Sequence, residues 1–161
     1  SLIFLITKNY YWDDLAFSFA QTGIIFASLI IVTGALWAKP VWGVWWTWDP
    51  KLTTTVILWF IFSAYLLIRN LIEDKKRAAL IGAIVALLGS IDAPLIYFAS
   101  ILWRTAHPEL NIGPLADEEN SGLPSSMLLT FFISLLAHTF LFSILVRMRL
   151  RLKELERLTY E

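Results

Sequence analysis

Residues 39–53 read KPVWGVWWTWDPKLT, with Trp42, Trp45, Trp46 and Trp48 inside seven positions and Asp49-Pro50 closing the run. What flanks this stretch decides the fold. Residues 15–37 and 52–68 are almost free of charge, and two further apolar runs follow at 78–100 and 125–146. A hydrocarbon core of about 30 Å takes roughly 20 helical residues, so each run has the length of a span. Lipid leaves an open strand edge unsatisfied, which makes all four α-helical. The chain therefore reads as an all-α, polytopic transmembrane helical bundle, a single integral membrane domain with four full spans and connectors at 38–51 and 101–124.

Composition agrees. Hydrophobic residues make up 58% of the 161, and 13 basic residues balance 13 acidic ones. With no cysteine, structural disulfides, thiolate zinc sites and covalent c-type haem attachment are excluded. Nucleic-acid binding usually needs a clustered basic face, which the balanced charge does not offer. The opening SLIFLI is expected to be the end of an earlier span, leaving TKNYYWDD as a short segment before residue 15.

Basic residues set the expected orientation. RNLIEDKKRA at 69–78 and RMRLRLKELERL at 147–158 carry most of the lysine and arginine, which places both in the cytoplasm. The tail past residue 147 reads as an amphipathic helical extension of the last span. The tryptophan connector and the 101–124 connector then face the other side, the periplasm if the host is a bacterium and this is its inner membrane.

Tryptophans taken singly, such as Trp12, Trp37, Trp59 and Trp103, suit an aromatic belt at the lipid boundary. Four in one connector with Gly43 exceed what anchoring a helix end requires, so some must face a ligand, a partner or one another. Asp49 is a preferred N-cap and Pro50 a preferred first helical residue, so the pair starts the second span. A set of indoles would bind a large planar apolar molecule with a charged edge. Haem has that shape: Lys39, Lys51 and Arg104 could meet its propionates, and His107 on the same side could ligate its iron. The other histidine, His138, lies mid-span and reads as a hydrogen-bonded intramembrane residue. Asp92, two residues before Pro94, either satisfies backbone groups freed by the proline or serves a ligand or partner.

The strings GALWAKPVWGVWWTWDPKLTT at 34–54 and YFASILWRTAHP at 97–108 resemble the WWD haem-handling family, and within it the haem exporter protein C branch. Leu52-Thr53 stands where the synthase branches tend to carry an acidic residue. The resemblance runs from about the first full span to the tail. It implies a role in cytochrome c maturation: Trp42, Gly43, Trp45, Trp46, Trp48 and Asp49 cradle a non-covalent, b-type haem, and His107 is an axial ligand. It further implies delivery to a periplasmic haem chaperone, with ABC-type transporter subunits and a small membrane subunit as partners. A second ligand histidine and two earlier spans belong to the family pattern and have no counterpart in these residues. A haem lyase of the synthase branch, a haem-conducting pore and a structural subunit with an aromatic interface are the alternatives.

Overall fold

The computed structural model describes residues 1–103 and 124–160. Its helices are α1 (Leu2–Thr7), α2 (Tyr10–Trp42), α3 (Pro50–Leu71), α4 (Lys75–Leu102) and α5 (Ser125–Tyr160), with no strand among the described residues. Four stretches, Tyr10–Trp42, Pro50–Leu71, Lys75–Ala99 and Ser125–Glu156, are long and apolar enough to cross a membrane. The protein is thus an all-α membrane bundle.

Local signals account for the helix ends. Asn9 and Asp74 cap α2 and α4, each carboxyl or amide oxygen accepting from a backbone N–H of the first turn. α1 folds back onto α2 through Lys8, whose φ of 56° puts it in the left-handed region. This short helix packs on both α2 and α4. Phe4 is buried with Ala79 and Ala83, and Trp12 rests on the same cluster instead of standing alone at a lipid boundary.

α3 and α4 form an antiparallel pair seated through small residues. Gly82 and Gly89 of α4 face α3 and let the helices approach closely. A methyl at Gly82 would sit 2.7 Å from Arg69 Cδ, and one at Gly89 would sit 3.0 Å from a methyl of Ile61.

α2 joins this pair mainly through its first half. Asp13 and Arg69 form a bidentate ion pair at 3.0 and 2.6 Å with both side chains buried. Phe17 and Ala20 cluster with Tyr65, and Ser28 Oγ accepts from Trp59 Nε1 at 2.8 Å. Trp59 therefore holds two helices together at mid-helix. Further along α2, Leu29, Ile30, Val32 and Leu36 are exposed. α5 leans on α2 by an aromatic seam, Phe142 against Phe19 and Phe26, with Lys153 Nζ lying 4.0 Å from the centroid of Phe17. An apolar cavity of about 850 Å³ is lined by α2, α3 and α4 together with Leu2 and Ile3 of α1.

The candidate tryptophan site

The connector between α2 and α3 is shorter than the expected 38–51. α2 continues through Pro40 to Trp42, so Lys39 and Trp42 are helical, and Lys51 belongs to the first turn of α3. Pro40 removes one N–H from the ladder without ending the helix. The stop comes at Gly43, whose φ of 78° is open to glycine at no steric cost and whose N–H donates to the Lys39 carbonyl. Lys39 secures the same turn from the other direction, since its Nζ donates to the Gly43 carbonyl at 2.9 Å. The ammonium also lies 5.9 Å from the centroid of Trp45.

At the exit, Asp49 accepts from the Leu52 N–H at 3.1 Å and Pro50 opens α3, as the sequence requires. Thr54 and Thr55 return their hydroxyls to carbonyls of Pro50 and Lys51. Such back-bonding keeps these hydroxyls out of the site.

The indoles do not form one flat wall. Trp37 and Trp42 meet edge to face at 5.4 Å, as do Trp46 and Trp48 at 5.9 Å. Two faces remain open: Trp45 is 55% exposed and Trp48 75% exposed. Trp46 and Thr47 are half-buried, and the Trp46 indole nitrogen and Thr47 hydroxyl have no hydrogen-bond partner among the described residues. An unmade bond of this kind costs about 1–3 kcal/mol. Two adjacent orphaned donors beside open indole faces and a lysine fit an apolar ligand with an anionic edge.

His107 and Arg104 lie outside the described residues. His138 is described: its Nδ1 donates to the Ser134 carbonyl at 2.7 Å and its ring meets Phe26 edge-on. It sits on the α2–α5 seam. Asp92 is buried, and its Oδ2 has no partner among the described residues. The Asp13–Arg69 pair gave no sequence signal beyond charges at the ends of two apolar runs, and Ser28–Trp59 gave none.

These features define a polytopic helical membrane protein with a capped, tryptophan-rich connector. The family described as CcmC, Heme exporter protein C, matches residues 1–160. The chain belongs to that family. It is 32% identical over 142 residues to the heme exporter protein C of Bradyrhizobium diazoefficiens, covering 88% of this chain and 53% of the relative. It is 36% identical over 104 residues to that of Rhodobacter capsulatus, covering 65% and 43%. For Haemophilus influenzae the figures are 32% over 133 residues, 83% and 54%. The chain spans about half the length of the curated relatives it matches.

Proposed function

We propose that the Gly43–Asp49 connector binds haem non-covalently and presents it, on the periplasmic face of a bacterial inner membrane, to a haem chaperone during cytochrome c maturation. The observation that carries this reading is the pairing of open indole faces on Trp45 and Trp48 with two orphaned donors, Trp46 Nε1 and Thr47 Oγ1. Stacking on the indoles would hold the apolar body of the macrocycle. Trp46, Thr47, Lys39, Lys51 and, from the following connector, Arg104 would meet the propionates. Trp42 and Gly43 shape the helix stop that aims the loop, and Asp49 fixes its exit. His107 would supply an axial nitrogen and thereby fix the orientation of the ring.

When bound, haem supplies the vinyl group to which the chaperone's own histidine becomes attached. The chain contributes position: Gly43 and Asp49 hold both ends of the connector, so the indoles present a fixed edge to the arriving partner. ABC-type transporter subunits and a small membrane subunit complete the assembly in this reading. Absorption spectra of the purified protein supplied with haem test it. A Soret band is expected, shifted or weakened by His107→Ala, and lost more readily after Trp45→Ala with Trp46→Ala than after Trp12→Ala with Trp59→Ala. Equal loss from both pairs would return the connector to an anchoring role.

A further inference from the structure

α5 is longer than a membrane crossing requires. Its run without lysine, arginine, aspartate or glutamate, residues 125–146, already has the length of a span, yet the helix continues to Tyr160. At about 1.5 Å per residue, Leu152 and Leu155 stand roughly 9 and 14 Å past Val146, whereas the headgroup layer adds only about 5–7 Å on each side of the hydrocarbon core. The extension does not bend aside to lie along the lipid surface. It stays against α2, with Lys153 Nζ 4.0 Å from the centroid of Phe17 and Glu156 sharing a polar pocket with Tyr10, Asp13 and Arg69.

On the side of α5 away from α2, Leu141, Leu145, Met148, Leu152 and Leu155 follow at alternating steps of four and three, the spacing of a coiled-coil seam. Leu145 is half-buried, whereas Leu141, Met148, Leu152 and Leu155 are 49%, 56%, 50% and 59% exposed. Val146, turned the other way, is buried. Arg149 and Arg151 border the seam on either side of Leu152; both are exposed, and neither forms an ion pair among the described residues. We propose that this extension is a docking rail for a partner on that side of the membrane, and that the partner presents an α-helix whose own apolar seam is flanked by aspartate or glutamate.

Charge and position select this occupant. Lipid headgroups would suit the arginines, but an upright row of leucines reaching past the headgroups has no apolar phase to enter. A second copy would bring the same two arginines and, with Glu156 lining the pocket, no acid of its own to meet them. A helix with acidic flanks covers the leucines and pairs both arginines, as charges beside a coiled-coil seam do when they set partner choice.

The test uses the full-length protein in phosphatidylcholine nanodiscs. These 161 residues contain no cysteine, which suits a spin label at Leu152→Cys, with Leu141→Cys as the reference within the span. A water-soluble nickel chelate should relax the Leu152 label, and oxygen dissolved in lipid the Leu141 label. A synthetic helical peptide with a leucine seam and glutamate flanks should then shield the Leu152 label from nickel. The same peptide with lysine flanks should bind at least tenfold more weakly by fluorescence anisotropy. Leu152→Glu should weaken the glutamate peptide at least tenfold, and Arg149→Glu with Arg151→Glu should reverse the preference between the two peptides. Relaxation of the Leu152 label by oxygen would mean that lipid covers the row, and it would overturn the proposal. Dipolar broadening between labels of two copies, shielding of the label in the protein alone, or equal binding of the two peptides would each overturn it as well.

Discussion

Removing the Asp13 carboxylate while keeping Arg69 should destabilise the bundle far more than losing an ordinary surface ion pair. The two side chains retain 6% and 8% of their exposure, and the guanidinium makes two parallel bonds at 3.0 and 2.6 Å. Breaking a buried pair leaves a charge without compensation, at a cost of about 3–5 kcal/mol. Exposed pairs are worth about 0–1 kcal/mol. For Asp13→Ala we expect the buried figure, roughly a hundredfold or more in the folded-to-unfolded ratio at 1.4 kcal/mol per tenfold. Arg69→Met alone should cost a comparable amount, because the same cluster holds Lys153 beside a freed carboxylate and Asp14, Glu73 and Glu156 beside a freed guanidinium. The double variant should recover much of the loss, since replacing both charges with apolar groups removes the desolvation cost along with the attraction. Reversible unfolding in mixed detergent and SDS micelles, followed by tryptophan fluorescence, measures each corner of the cycle. The loss should also be nearly independent of salt, because buried charges are little screened. A cost for Asp13→Ala below about 1 kcal/mol, or single effects that simply add in the double variant, would refute the argument.

Two further outcomes are expected. Gly89→Val places side-chain atoms against Ile61 and Phe62, and the overpacking should cost about 1–3 kcal/mol in the same unfolding assay; Gly34→Ala, with open space before it, should cost nothing of that size. Asp49→Ala removes the cap on α3 and should cost about 0.5–2 kcal/mol. It should also raise the haem dissociation rate without shifting the Soret maximum, because it loosens the connector exit without touching an iron ligand. A shifted maximum would place Asp49 in contact with the bound group.

Four helices and the Asp49-Pro50 start of α3 could be read from the residues alone. Length without charge specifies a span, and the orphan N–H groups of a helix start specify an aspartate, so Asp49-Pro50 is where α3 begins. The extension of the last helix beyond residue 147 was legible for a different reason, the interleaving of charged and apolar residues in an amphipathic pattern. The tryptophan run marked its own connector, because its density exceeds any anchoring need.

Which helix face meets which neighbour was decided only by the tertiary structure. Helices that are apolar all round carry no periodic signal of a buried side, so nothing local pairs Asp13 with Arg69, 56 residues away, or Trp59 with Ser28. The connector's length had the same origin: it was expected to begin at residue 38, yet α2 runs on through Pro40 until Gly43 turns left-handed beside Lys39. Composition put indoles at that corner, but packing turned them edge to face, opened Trp45 and Trp48, and left the Trp46 nitrogen buried without a partner among the described residues. Helix ends are set by bonds within a few residues of chain; facing, depth and ring orientation are set by what the other helices leave room for.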